Sequence, residues 1–145
     1  MKTSTLRSLA ISPIMAAAFL MTSCIYDAPG DKFYRTLWRA QDNTLGELTL
    51  EFLCDSKISV KSDMSPFVSY GTYESSRMQA VFQNLTLVYD ELILQSESGE
   101  LLTLTDPGVT IREAHRNGDA LYLHWTVGDS DEASITVMHR LSEYD

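Results

Sequence analysis

Glu47-Leu48-Thr49-Leu50-Glu51-Phe52-Leu53-Cys54-Asp55-Ser56-Lys57-Ile58-Ser59-Val60-Lys61 decides the fold. Leu48, Leu50 and Phe52 alternate with Thr49 and Glu51, the period of a strand buried on one face. Cys54-Asp55-Ser56 turns the chain, and the alternation resumes with Ile58 and Val60 on the apolar side. Two alternating runs joined by a short polar turn predict a β-hairpin.

The same pattern continues downstream. Phe67 to Glu74 is rich in β-branched and aromatic residues and carries Gly71, which predicts a bend or a close backbone approach. Ser75-Ser76-Arg77 turns into Met78 to Phe82, and Gln83-Asn84 turns into Leu85 to Tyr89. Asp90-Glu91 predicts a bulge, because Leu92-Ile93-Leu94 resumes at once. Ser96 to Gly99 links to Leu101 to Thr105, and Asp106-Pro107-Gly108 is a strong turn. No segment sustains a helical period. Short strands with tight turns predict an all-β, antiparallel up-and-down meander, closed as a barrel or packed as a sandwich.

The last three strands are registered by face. A strict two-residue loop at Asn117-Gly118 would set Arg112 against Leu123 and Thr110 against Trp125, mixing polar with apolar. A three-residue loop, Asn117-Gly118-Asp119, instead sets Ile111 against Trp125 and Val109 against Val127. Since a one-residue slip moves a strand's whole apolar set to the wrong side, the three-residue loop is preferred. A turn at Gly128 to Glu132 then sets Trp125 against Ile135 and Leu123 against Val137. The expected inner face is Val109, Ile111, Leu121, Leu123, Trp125, Val127, Ile135, Val137 and Leu141.

That register places Glu113, His115 and His139 together as a polar cluster at the rim, both histidines opposite Leu121. Two strand spacings would separate the histidines by about 9.6 Å, too far for direct chelation of zinc. Ordinary hydrogen bonding at the rim is the expected role, with no metal and no cofactor. Asp129-x-Asp131-Glu132 lacks the glycine and distal glutamate of a calcium loop. Asn84-Leu85-Thr86 matches the spacing of a glycosylation sequon. Nucleophile elbows, phosphate-cradling glycine loops and paired catalytic acids do not stand out, so no enzyme is expected.

Upstream of the strands the chain changes character. Lys2 and Arg7 precede a largely apolar run from Leu9 to Met21, the anatomy of a secretory signal. Leu20-Met21-Thr22-Ser23-Cys24 resembles the lipobox of bacterial lipoproteins, although Met21 stands where Leu is usual. The resemblance implies a lipoprotein signal peptide at 1–23, lipidation of Cys24, a tether at 24–33 and a β domain at 34–145. The alternatives are cleavage at a site such as Ala16-Ala17-Ala18, or an uncleaved anchor, which Pro13 disfavours. Cys24 and Cys54 are the two cysteines of the chain. In an oxidising envelope they would be expected to pair; a lipidated Cys24 leaves Cys54 single, as a small buried hydrophobe. Losing residues 1–23, which hold two basic residues and no acid, takes the formal charge from −9 to −11. Such acidity disfavours nucleic acid and anionic membranes as electrostatic partners.

The remaining chain resembles small lipocalin-like lipoproteins of Bacteroidetes. The likeness rests on Leu37-Trp38, on the hairpin from Phe52 to Val60 with Ser56 in place of Gly, on Gly71-Thr72-Tyr73 and on His139-Arg140-Leu141. It implies an up-and-down barrel or flattened half-barrel, with Arg140 packed on Trp38 at the closed end and a cavity for an apolar ligand. Thr36 stands where the family has Gly, and the register above puts Arg140 outside the inner face. Asp27 and Asp31 are similar to surface-export signals of Bacteroidetes lipoproteins, and Ile25 agrees with sorting to the outer membrane. The expected function is a lipid-anchored binding module of the cell envelope, with Phe52, Tyr73, Leu123 and Trp125 lining a site for a small apolar ligand. The alternative is a solid-core lipoprotein whose loops contact another envelope protein.

Overall fold

The computed structural model describes residues 32–141; the signal at 1–23, Cys24 and the tether as far as Asp31 lie outside the described residues. Eleven strands and no helix occur among the described residues: β1 (Leu37–Asp42), β2 (Gly46–Phe52), β3 (Lys57–Ser62), β4 (Ser69–Ser76), β5 (Gln79–Gln83), β6 (Thr86–Val88), β7 (Glu91–Gln95), β8 (Leu101–Thr105), β9 (Gly108–Asn117), β10 (Ala120–Val127) and β11 (Ser134–Arg140). Strands β5 and β6 lie end to end along β9, β5 on Glu113 to His115 and β6 on Gly108 to Thr110. They form one stave interrupted at Asn84, whose φ is +61°. With β10 paired to β9 and β11 to β1, the sheet closes on itself as an eight-stave antiparallel up-and-down barrel. The expected meander is therefore present and fully closed, which removes edges that would otherwise template aggregation.

The β2–β3 hairpin follows the sequence reading. Leu48, Leu50, Phe52, Ile58 and Val60 are all buried. Asp55 and Ser56 both take φ of +59° at its turn. Gly71 is needed for a close approach, since a Cβ there would stand 2.5 Å from the carbonyl oxygen of Gln83. At this end of the barrel Phe33 packs on Phe52 at 5.0 Å between ring centroids, and Phe52 meets Tyr73 edge-on at 4.9 Å and Phe82 at 5.9 Å. These aromatic rings plug the closed end.

Three expectations of register and layout are corrected. The β9–β10 loop is Gly118-Asp119, because Asn117 pairs directly with Ala120. The ladder shifts by one residue at Arg112, so that Ile111 still faces Trp125 and Val109 still faces Val127. This β-bulge reverses the parity beyond it: Ala114 points inward, and Glu113 and His115 point outward. The β10–β11 ladder is one residue out of step with the expected one, pairing Leu123 with Thr136 and Leu121 with Met138. Thr136 and Met138 are buried, whereas Ile135 and Val137 are 56% and 44% exposed. Strands β7 and β8 pair only with each other, as a hairpin standing off the barrel between β6 and β9.

The slip in β11 also turns Arg140 toward the interior, on the face of Thr136 and Met138 and opposite Trp38 in the closing ladder. The Arg116 guanidinium also stands over the Trp38 ring, 5.3 Å from the centroid. Arg116 also donates to the carbonyls of Gly118 and Lys32. Burial, with the nearby Arg140 as a second cause, holds the Arg116 guanidinium below its ordinary range. Cys54 is buried and disulfide-bonded. That departs from the single-thiol expectation; the other cysteine of the chain, Cys24, lies outside the described residues.

Candidate functional site

The four residues expected to line a ligand site divide. Phe52 and Tyr73 belong to the aromatic plug, and Leu123 is fully buried in the core. Trp125 alone borders open space. A cleft of about 480 Å³ lies at the opposite end, the mouth, between the barrel and the β7–β8 hairpin. Trp125 and Val127 line its barrel side, and Leu94, Leu102 and Leu104 line its hairpin side. Thr44, Gln95, Ser130, Glu132 and Ser134 supply its polar rim. Half of the lining is thus polar and half apolar, which suits an amphipathic molecule with its apolar part against Trp125 and the leucines.

Trp125 is held by a relay of side chains. Its Nε1 donates to Thr136 Oγ1 at 2.9 Å, and that hydroxyl donates to Asp42 Oδ1 at 2.7 Å. The other oxygen of Asp42 accepts the backbone N–H groups of Thr44 and Leu45 at 2.9 and 2.8 Å, which closes the β1–β2 turn. The indole is thus oriented through two neighbouring staves before anything enters the cleft. Sequence reasoning missed Thr136 because the expected register turned it outward. A threonine flanked by two aliphatic β-branched residues carries no local sign that its hydroxyl is wanted inside.

Tyr89 sits beneath the same end, fully buried, donating its hydroxyl to the Leu45 carbonyl at 2.9 Å. Burial is the main cause that pushes its phenol up to about 12; a hydrogen bond with Ser62 opposes the shift, and Asp42 and Asp63 add to it.

The rim cluster is rearranged. Glu113 and His115 remain neighbours on β9, with His115 Nε2 3.5 Å from Glu113 Oε2. Their third companion is His124 of β10, cross-strand partner of Glu113, and His139 lies elsewhere, between Ala120 and Arg39. One ligand atom from each of Glu113, His115 and His124 falls within 4.8 Å of the other two. The cluster is on the outer wall, where the bulge has turned it. The relevant sequence signal was His124 two residues from Tyr122 on the polar face of β10; the bulge that brings Glu113 to it has no such mark.

The fold and the cleft define the class, a closed eight-stranded antiparallel barrel with a covered mouth. No family model, no curated protein and no solved structure matches the chain.

Proposed function

We propose that the protein is an exported, lipid-anchored barrel of the cell envelope, lipocalin-like in kind, that binds a small apolar ligand at its mouth. The observation that carries this reading is Trp125, pre-oriented by Thr136 and Asp42 on the wall of a cleft of about 480 Å³ that Val127, Leu94, Leu102 and Leu104 line with it. That volume lies within the range of about 300–1,000 Å³ usual for small-ligand pockets. The interior itself offers less, because Phe52, Tyr73 and Leu123 are spent on packing. Native mass spectrometry of protein purified from its own host is expected to show a bound lipid-sized adduct, lost in Leu104→Asp. An unliganded wild type that leaves its Trp125 fluorescence unchanged on addition of fatty acid would sink the proposal.

A second reading is favoured by the exposed face of the hairpin. Ile93 and Leu101, on the face turned away from the cleft, are 51% and 69% exposed. They suit docking against another envelope protein rather than enclosure of a small molecule. Leu101→Asp separates the two, since it would abolish docking while leaving the lining residues of the cleft in place.

Anchoring turns on one sulfur. A lipid thioether at Cys24 and a disulfide to Cys54 are mutually exclusive, and the lipobox favours the first as the disulfide-bonded state of Cys54 favours the second. Acyl chains contribute about 0.8 kcal/mol per buried methylene, which would hold an acidic domain at a membrane without electrostatic help. The intact mass of the mature protein decides: an added diacylglyceryl group is expected, lost in Cys24→Ala, and an unmodified oxidised pair would refute the lipid anchor. Outer-membrane placement follows only if the lipid is found.

A further inference from the structure

We propose that Glu113, His115 and His124 form a binding site for a divalent transition-metal ion, zinc above all, on the outer wall of the barrel. The site is separate from the mouth cleft, and its standing does not depend on what the cleft binds.

The placement comes from the fold. Glu113 and His124 are direct partners across the β9–β10 ladder, and His115 follows two residues along β9 on the same face. Without the bulge at Arg112, Glu113 and His115 would point into the core, as the uniform register expects. The extra residue therefore creates the cluster. Of the chain's three histidines, two converge here.

The geometry suits a small, borderline ion. Tetrahedral zinc with ligand bonds of about 2.1 Å has its ligand atoms about 3.4 Å apart. Glu113 Oε2 and His115 Nε2 are already 3.5 Å apart, and all three ligand atoms lie within 4.8 Å of each other. The His115 and His124 rings stand 5.5 Å apart at 64°, an edge-on arrangement that side-chain rotation can aim at one point. Two imidazoles with one carboxylate favour zinc, copper, nickel or cobalt over magnesium and calcium, which take oxygen ligands. Gln79 Nε2 approaches Glu113 Oε1 at 3.5 Å, where it can steady the carboxylate from β5. Such outer partners tune a metal's ligands.

The fourth coordination position has room. A groove of about 340 Å³ adjoins the cluster, sharing Glu113 and His124 and lined further by Arg112, Thr126, Asp131 and Ala133. The side chains of His115 and Glu113 are 48% and 35% exposed, so an ion reaches them without opening the barrel. The groove is wide enough for a water or a small anionic ligand beside the metal. Bound metal would clamp β9 to β10 across the bulge, where the backbone ladder is broken.

The test uses untagged protein stripped with a chelator and titrated with zinc chloride, then with cobalt chloride. One equivalent of zinc is expected to bind and to raise the thermal midpoint in a concentration-dependent way. Cobalt is expected to give visible absorption bands that zinc displaces. His124→Gln and Glu113→Gln should each weaken binding by at least about tenfold. His139→Gln, on the same outer wall but away from the cluster, should leave it unchanged. Circular dichroism of each metal-free variant confirms the fold, and His115→Gln provides an independent half-exposed position. No zinc response in the wild type overturns the proposal. So does a response that survives His115→Gln and His124→Gln together, or one lost equally in His139→Gln.

Discussion

At the end of the barrel where the described chain begins, Phe33, Phe52, Tyr73 and Phe82 fill the space ring against ring. At the mouth the space is organised by directed polar contacts, the Asp42–Thr136–Trp125 relay and the Tyr89 bond to Leu45. The first solution is non-directional and fills the space with side chains. The second fixes orientation and leaves volume. One barrel thus packs one end with rings and keeps open volume at the other.

The largest expected effect is at the closed end. Phe52→Ala should cost about 3–5 kcal/mol, because three other rings lose their partner and a cavity remains. Chemical denaturation measures it, and a cost below about 1 kcal/mol would mean that the plug is not where stability resides. Thr136→Val should cost about 1–3 kcal/mol by stranding the Trp125 N–H and an Asp42 oxygen. It should also shift the Trp125 fluorescence, which Phe52→Ala should not; equal shifts would erase the distinction between the ends.

Tyr89 gives the mouth an alkaline limit. The fold holds its phenol above the ordinary value, so the neutral form is the one the native state favours. Its contribution to stability is complete below about pH 10. It is lost as pH rises toward the native value of about 12. Denaturation midpoints followed from pH 9 to pH 12 should fall less steeply in Tyr89→Phe than in the wild type. The smallest effect returns to the closed end. Ser56 holds φ of +59° in the β2–β3 turn, and Ser56→Gly should stabilise by about 0.5 kcal/mol by relieving left-handed strain. A loss of stability would show that the serine has a compensating contact.

Much of the staves was legible because alternation is local. The β2–β3 hairpin and the close approach at Gly71 follow from residues near one another in sequence, whereas the expected pairing of Ile111 with Trp125 is restored by a bulge that offsets the shorter loop. What was not legible depends on distant partners. The bulge at Arg112 lets Arg112 Nε donate to Thr126 Oγ1 at 3.0 Å, a contact between strands. Thr136 is inside because Trp125 and Asp42 need its hydroxyl, against the count of apolar groups that favours Ile135 and Val137. The β7–β8 pair alternates like any barrel strand, and nothing within it marks its departure from the ring. Those same departures determine which residues stand together: Thr136 and Asp42 support Trp125 without any local mark, and His124 rather than His139 stands beside Glu113 and His115.

Barrel closure has a directional consequence. Leu141 N donates to Leu37 O at 2.9 Å, so the first and last staves end side by side at the plugged end. Phe33 enters there, and Cys54 sits on the adjoining turn. The described chain therefore enters the barrel at this plugged end, beside the turn that carries Cys54. The cleft beneath the β7–β8 hairpin opens a full barrel length away from that entry point, so the entering chain and the cleft do not compete for the same space.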